Sequence, residues 1–280
     1  MSLTKQELIE RKKFIGASDA PIIVGASPWS SPYQLWLDKV SKDVVEKTSA
    51  AMQRGNDLEE TARNRFEEMS GLIMFPKCVK MHVNIPYMRA SLDGIDIEEK
   101  NIVEIKCPNA ATHAIAVAGE VPAHYMPQLQ HQIEVCGIEM AYYFSFDGNN
   151  GVIVKVFRDE KYIKNLITKE AEFWECVQNF TPPEKIAKDY NQRTDSEWLT
   201  QASNWRSARQ RLKSAEEEEQ LYRSKLISLA AGNCSTGGGV LLTKIHRKGA
   251  VDYSKISELK HLNLDTYRKE NIELFQIKEQ

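Results

Sequence analysis

The chain has 280 residues, of which 42% are hydrophobic and 27% are charged, a composition typical of a globular protein with a sizeable core. The net charge of −2 lacks a global nucleic-acid signature, so any contact with DNA would need a local basic groove or a metal ion that offsets acidic residues. Five widely spaced cysteines without a C-x-x-C pair argue against a zinc cluster or a disulfide framework. With no long apolar run in the sequence, we expect a cytoplasmic protein with free thiols and no membrane span.

The N-terminal third is predicted to be mainly helical, with helices over residues 3–13, around residues 35–36 and over 52–69. Ser18 or Asp19 could cap a further helix that has Pro21 in its first turn. The apolar stripe of the helix over 52–69 consists of Leu58, Ala62, Phe66 and Met69. Glu59 lies beside this stripe, which places it at the edge of the core.

Strands are predicted over residues 73–85, 88–97 and 102–107, and the last two form a β-hairpin. Side chains alternate along a strand, so Glu104 and Lys106 share one face. With residues 98–101 as the loop, Asp93 would lie opposite Lys106 and diagonal to Glu104. Three ionisable groups then converge on one polar patch of the sheet.

This patch has the composition of a divalent-metal site. Two carboxylates that lie close together repel each other unless a cation separates them, and their oxygens suit Mg²⁺ or Mn²⁺. A lysine beside such an ion can orient a water molecule and stabilise developing phosphate charge. The pattern therefore favours a metal-dependent phosphodiesterase, whereas a charged hairpin on a solvated sheet face is the simpler alternative.

The rest of the chain is predicted to complete an α/β unit and then to change character. A helix over 122–137 carries Tyr125, Gln128 and Gln132 along one side; strands over 141–146 and 152–158 and a helix over 160–179 follow. Residues 1–181 are expected to form the core and 182–280 an appendage of unknown role. In the appendage, 184–205 would be irregular or weakly helical, 206–230 a charged helix, 232–239 a flexible glycine-rich linker and 240–245 a strand.

Four blocks of sequence resemble the phage lambda-type exonucleases, specifically the YqaJ-like viral recombinases of the PD-(D/E)xK nuclease superfamily. The blocks span residues 11–36, 55–59, 90–108 and 125–130, in matching order and spacing. They contain Gly-Ala-Ser-Asp, Gly-Asn-Asp-Leu-Glu, Ser-Leu-Asp-Gly with Glu-Ile-Lys, and Tyr-Met-Pro-Gln. Leu92 stands where the name of the superfamily has proline. The implied fold is α/β, with a central mixed sheet flanked by helices.

The resemblance also implies roles for individual residues. Asp93 and Glu104 would hold metal ions together with the Ile105 carbonyl and Glu59, and Lys106 would position the attacking water. A surface carboxylate is the simpler interpretation of Glu59. The implied catalytic set is therefore Asp93, Glu104, Lys106 and Glu59, with Mg²⁺ as cofactor and Mn²⁺ as a substitute.

A second implied site receives a 5′-phosphate. Arg11, Ser18, Ser91 and Gln128 match the family positions for this pocket, and Tyr125 lies beside it. Their guanidinium, hydroxyl and amide groups can donate hydrogen bonds to phosphate oxygens. Individually they have simpler interpretations, such as a helix cap for Ser18, a solvated helix residue for Gln128 and a buried tyrosine with one hydrogen-bond partner for Tyr125.

The activity implied is a Mg²⁺-dependent 5′→3′ exonuclease that acts on double-stranded DNA ends and leaves 3′ single-stranded tails for recombination. A closed homotrimeric ring, a single-strand annealing protein as partner, and a phage or prophage gene in a bacterial host belong to the same expectation. The alternatives are a restriction- or resolvase-type endonuclease on the same fold and a non-catalytic DNA-binding accessory protein. The segment 206–280 could also be an interaction module.

Overall fold

The computed structural model describes residues 5–41, 49–76, 78–257, 259, 262 and 267–269. The chain divides into two compact units, Met1–Asn191 and Gln192–Gln280. Residues 182–191 belong to the first unit, in which the Lys188 ammonium donates to the carbonyls of Ser27 at 3.0 Å and Ser30 at 2.9 Å.

Most helices and strands of the first unit follow the predicted order with shifted ends, and only the helix over 110–117 and the strand over 15–16 were not predicted. Its helices are α1 (Lys5–Arg11), α2 (Ala20–Ile23), α3 (Pro32–Val40), α4 (Ala50–Ser70), α5 (Ala110–Val117), α6 (Met126–Cys136) and α7 (Glu160–Gln178). Its strands are β1 (Ile15–Gly16), β2 (Cys78–Met81), β3 (Met88–Leu92), β4 (Gly94–Ile95), β5 (Ile102–Lys106), β6 (Met140–Phe146) and β7 (Gly151–Phe157). A short 3-10 turn, Ala187–Asp189, lies near its end.

The first unit contains two mixed sheets, and the chain passes directly from β3 in the first sheet to β4 in the second. The first has the order β1-β3-β2, with β1 parallel and β2 antiparallel to β3. The second has the order β4-β5-β6-β7, in which only the β5–β6 pair is parallel. The strand predicted over 73–85 is shorter, since β2 covers four residues and Phe75 forms only an isolated bridge with Ile95.

Strand β5 lies between two helices, and this arrangement builds the core. On one face Val103 and Ile105 pack in a cluster with Ala62 and Phe66 of α4. On the other face Leu129 and Ile133 of α6 belong to a second cluster. Ala62 and Phe66 are fully buried, as predicted, but Met69 at the end of their stripe is 43% exposed. Glu104, on the α6 side of β5, is thus enclosed by the fold.

The second unit is dominated by α8 (Ser196–Leu229), which begins ten residues before the predicted helix. Of the two alternatives for residues 184–205, irregular or weakly helical, the helical one holds from residue 196 onward because Asp195 caps the helix, its side chain accepting from the Trp198 amide at 3.0 Å. The glycine-rich segment is a hairpin rather than a linker: β8 (Ser235–Gly237) pairs antiparallel with β9 (Val240–Leu242), which ends three residues short of the predicted strand.

All five cysteines are free, as the sequence predicts. Among the described residues, no helix is both long enough and apolar enough to cross a membrane.

Candidate active site

The hairpin of β4 and β5 brings two acidic residues together. Gly94 pairs with Val103, so the next pair outward places Asp93 opposite Glu104. The predicted register, with Asp93 opposite Lys106, is wrong by two residues. Side chains alternate along a strand with a period of two, so a shift of two residues leaves Asp93, Glu104 and Lys106 on their predicted faces of the sheet.

The two-residue shift has its cause in the turn. The predicted loop of residues 98–101 is widened by Asp96, whose carboxylate accepts from the Lys100 amide at 2.8 Å and from the Asn101 amide at 3.1 Å. The Asn101 side-chain amide adds a third bond at 2.6 Å. An aspartate that accepts hydrogen bonds from the turn amides in this way replaces the hydrogen bonds of strand pairing at the end of the hairpin. The loop is therefore longer than predicted, and the paired residues begin further from it.

Asp93 lies at a bend where the chain leaves one sheet and enters the other. A Cβ atom on the next residue, Gly94, would lie 2.8 Å from both Met74 Cβ and Val103 Cγ1, so only glycine allows this crossing. Beyond the bend, the Ile105 amide donates to Asp93 Oδ2 at 2.8 Å. The half-buried carboxylate is therefore held against β5.

Glu104 is 2% exposed and its carboxylate is surrounded by donors. Oε1 accepts from the Lys106 ammonium at 2.5 Å and from the Gln128 amide at 2.6 Å. Oε2 accepts from the Gln132 amide at 2.5 Å, and the same nitrogen lies 3.4 Å from the Ser91 carbonyl oxygen. Hydrogen bonds to a charged acceptor offset the cost of its burial.

Helix α6 supplies the amides because Gln128 and Gln132 are one turn apart and share a face. Tyr125, the residue before the helix, covers Lys106, whose ammonium lies 5.4 Å from the ring centroid. The sequence placed Gln132 on this side of the helix without giving it a role. Its bond to Glu104 makes it part of the site.

The two carboxylates make the site electrostatically unusual. Burial and the Glu104 charge raise the pKa of Asp93 to about 8, against the smaller opposing effects of Lys106 and the Ile105 amide. The Glu59 charge adds to this increase as the smallest of the effects. Burial alone would lower the pKa of Lys106, but Glu104 and Asp93 outweigh it and raise that pKa above its ordinary value. Lys106 is therefore a cation at neutral pH.

The residues that face the site can accept a hard divalent cation. An ionised carboxylate has about four lone-pair sites, and the bonds to Glu104 use two on Oε1 and one on Oε2. Asp93 accepts one bond from the Ile105 amide, which leaves further lone pairs on its carboxylate. Within the described residues no three His, Cys, Asp or Glu side chains form a ready metal cage, so ligands beyond this pair would include main-chain oxygen and water.

The residues predicted for the phosphate pocket fall into two sets. Arg11 donates to the Ser18 hydroxyl at 3.0 Å, and Ser18 is exposed. Gln128 and Tyr125 contact Glu104 and Lys106 instead, as described above. Ser91 is also exposed, with its carbonyl near the Gln132 amide.

Behind Arg11 and Ser18 lies a buried ion pair that the sequence did not reveal. The Lys39 ammonium donates to Asp19 Oδ2 at 2.6 Å, to the Arg11 carbonyl at 2.8 Å and to the Phe14 carbonyl at 2.7 Å. Asp19 also accepts from the Gly16 amide at 3.0 Å. Although Asp19 stands at the start of α2, its side chain makes no cap bond, so the predicted capping role is wrong. Lys39 fixes the loop that carries Arg11 and Ser18.

The fold and the site together give an α/β architecture of mixed sheets flanked by helices, with an acidic residue at the end of one strand and Glu-x-Lys on its neighbour.

Comparisons with known proteins show which domain part of the chain resembles. Residues 8–139 match the YqaJ-like viral recombinase domain, which confirms the resemblance seen in the sequence over that range. The chain is 36% identical over 172 residues to the uncharacterized protein YqaJ of Bacillus subtilis (strain 168). This match covers 60% of the chain and 54% of the relative, so the chain spans about half the length of that protein.

Solved structures show the same fold. The crystal structure of an alkaline exonuclease from Laribacter hongkongensis aligns with a TM-score of 0.56 and 24% identity, covering 64% of this chain and 94% of the exonuclease. A second structure of that exonuclease, in complex with dAMP, aligns equally well. Both comparisons show that this chain shares the fold of that exonuclease.

Proposed function

We propose that the protein is a Mg²⁺-dependent 5′→3′ exonuclease that acts on double-stranded DNA ends and leaves 3′ single-stranded tails for phage-type homologous recombination. The observation that carries this proposal is the buried Glu104 carboxylate, opposite Asp93 and bonded to Lys106. A fold without such a function would have little reason to bury two adjacent carboxylates beside a lysine, because their desolvation and repulsion cost free energy.

Asp93, Glu104 and the Ile105 carbonyl would hold the divalent ion, Mg²⁺ or in its place Mn²⁺. The fourth predicted ligand, Glu59, does not form a group of three acidic ligands with Asp93 and Glu104 among the described residues. When bound, that ion polarises the phosphate and lowers the pKa of water. Its charge would also relieve the repulsion that raises the pKa of Asp93.

Lys106 contributes as a charged group rather than as a base. Since its pKa is raised, it keeps its proton at neutral pH, donates hydrogen bonds and stabilises negative charge that develops on the scissile phosphate. Gln128 and Gln132 hold Glu104 in one orientation, and Tyr125 covers the lysine.

Arg11 and Ser18 would bind the 5′-phosphate, with Ser91 and Gln128 as further donors. The Arg11–Ser18 bond shows that both side chains reach the same point, and the Lys39–Asp19 pair holds their loop. A guanidinium beside a hydroxyl suits a terminal phosphate, which carries more charge than an internal one.

The same proposal includes an annealing protein as partner and a closed trimeric ring that would enclose the DNA. Both rest on the resemblance and on the match to a viral recombinase domain. A phage or prophage gene expressed in the bacterial cytoplasm is part of this proposal.

The first experiment is digestion of linear duplex DNA that carries a single 5′-phosphorylated end, with Mg²⁺, by the natural protein and by Asp93→Ala. We expect mononucleotides to be released progressively from the phosphorylated end by the natural protein only. Internal cuts in circular DNA would instead support the endonuclease, and the absence of cleavage with Mg²⁺ and with Mn²⁺ would support the accessory protein.

The phosphate pocket has its own test. Arg11→Ala should slow digestion of 5′-phosphorylated ends by about ten- to a hundredfold while leaving 5′-hydroxyl ends nearly unchanged, since one charge-assisted contact is worth about 1.5–3 kcal/mol. Lys13→Ala is the matched control, because Lys13 is an exposed cation two residues away that pairs with Glu10. Equal loss on both kinds of end would contradict the pocket.

A further inference from the structure

Helix α8 lacks a cover for its apolar side. It has 34 residues, about 51 Å of helix, and none of its described residues is buried. Trp198 is 53% exposed, Leu212 48%, Tyr222 53% and Leu226 42%. Most helices in proteins are stabilised by burying an apolar face, so a helix of this length with exposed aromatic residues indicates an interaction surface.

Ten positions along α8 follow a heptad repeat, and Leu199, Leu221 and Ile227 are exposed outside it. The first heptad position is occupied by Trp198, Trp205, Leu212, Glu219 and Leu226, and the fourth by Gln201, Ala208, Ala215, Tyr222 and Leu229. These ten positions form the heptad stripe. Eight of the ten positions are apolar, and Gln201 and Glu219 interrupt the pattern.

We propose that α8 pairs with α8 of a second copy of this chain as an antiparallel two-helix coiled coil. The charged residues beside the stripe are arranged for such pairing. Arg209 and Arg211 lie in one half of the helix, and Glu216 and Glu218 lie in the other. With Leu212 level with Ala215 of the second copy, Arg209 meets Glu216 and Arg211 meets Glu218. Each pair occurs twice by symmetry.

Glu219 decides the direction of pairing. In a parallel pair it would face its own copy inside the interface, and two buried like charges repel. In the antiparallel register it faces Ala208. Trp205, Ala208, Arg209 and Leu212 line an open groove of about 510 Å³ at this position. The groove gives the Glu219 side chain room, and Arg209 gives it a counter-charge, so the polar residue sets the register.

The charge pattern identifies a second copy as the occupant. Every charged pair above is formed between residues of the same helix sequence, so a different protein would have to reproduce both the stripe and the order of the charges. The inference does not depend on nuclease activity, because it concerns only association through α8.

The test measures the mass of the full-length chain in solution by sedimentation equilibrium. Arg209→Glu/Arg211→Glu makes all four flanking positions acidic, and Glu216→Arg/Glu218→Arg makes them all basic. Either variant should raise the dissociation constant of the α8 pair about tenfold or more. At a protein concentration near the dissociation constant of the natural pair, the particle mass should then be halved, whatever association the first unit contributes. An equimolar mixture of the two variants should restore the mass, which a misfolded variant could not do.

Arg223→Glu/Lys225→Glu is the matched control for direction. In the antiparallel pair these residues face Ala202 and Asn204 of the second copy, so the mass should not change. In a parallel pair residue 223 would face Glu218, and the variant would dissociate. Dissociation of this control would overturn the antiparallel arrangement. A particle mass that is the same for the natural protein and both charge variants would overturn pairing through α8 altogether.

Discussion

In most proteins charged side chains are exposed and apolar side chains are buried, and the two units of this chain depart from that rule in opposite ways. The first unit buries charge: Glu104 is 2% exposed, and Asp19, Lys39 and Glu170 are also buried. The second unit exposes apolar surface along α8. Buried charges persist only where partners satisfy them, and exposed apolar stripes persist where a partner covers them. In both units the residues that violate the rule are therefore the ones that indicate function.

Substitution of Glu104 should produce the largest effect. Glu104→Gln keeps the size of the side chain but removes the charge that faces Asp93 and Lys106, and we expect the rate of DNA cleavage to fall on the order of a thousandfold. The equivalent change on the exposed helix, Glu216→Gln, should leave the rate unchanged. Retained circular dichroism would show that Glu104→Gln is folded, and a variant with near-normal activity would remove Glu104 from the mechanism.

Removal of the buried lysine behind Arg11 should have the next largest effect. Lys39→Met leaves Asp19 buried without its cation, and the side chains of this pair are only 5% and 8% exposed. Breaking such a pair costs about 3–5 kcal/mol of unfolding free energy. Urea unfolding measures this, with Lys213→Met on α8 as the exposed control. A loss below about 1 kcal/mol would mean that the pair does not stabilise the loop.

Divalent ions should stabilise the first unit in a pH-dependent way. The pKa of Asp93 is raised to about 8 from its ordinary value of 3.8, so without a cation the folded state binds an extra proton between these values and loses stability as pH rises through that window. A cation must displace this proton, so its affinity should increase with pH up to about 8.

Thermal unfolding with and without MgCl₂ between pH 6 and 9 measures that increase. At a concentration 100 times its dissociation constant the ion adds about 2.7 kcal/mol. Asp93→Asn should remove the pH dependence, and an identical Mg²⁺ effect in this variant would place the ion elsewhere.

The smallest effect concerns His131, which is fully buried and lies 2.7 Å from Glu170 Oε1. Burial lowers the pKa of His131, but the Glu170 charge and the bonds to Glu170 and the Arg89 carbonyl raise it above 6.5 overall. The stabilisation is fully present below pH 6.5 and is lost as pH rises through the raised pKa. In an Asp93→Asn background, His131→Gln should flatten the fall in unfolding free energy between pH 6 and 9, and an unchanged slope would exclude His131 as its source.

The sequence predicted which residues form the candidate site better than it predicted their partners. Asp93, Glu104 and Lys106 meet because strand alternation survives a register error of two residues. That error arose from Asp96, whose side-chain bonds to the turn do not follow from hydrophobic pattern. No sequence pattern indicated that Lys39 is buried. A lysine on an amphipathic helix is normally expected to face solvent, and its burial follows only from the packing of the helix against the loop that Lys39 stabilises.

The elements that prediction missed are stabilised by local bonds or by sheet pairing. Helix α5 was not predicted, although Asn109 caps it by accepting from the Thr112 amide at 2.9 Å. The glycines of the segment 232–239 suggested flexibility, yet they permit the positive φ angles of a tight hairpin at Gly238 and Gly239. Side-chain caps and turn glycines would have corrected both predictions.

The bonds from Lys106 and the two glutamines to Glu104 have a consequence for the order of events in a cell. They satisfy the buried carboxylate with groups that belong to the chain, so the protein can complete its folding before any ion arrives. Under the proposed mechanism, a newly made copy would then be folded but inactive until a divalent ion binds.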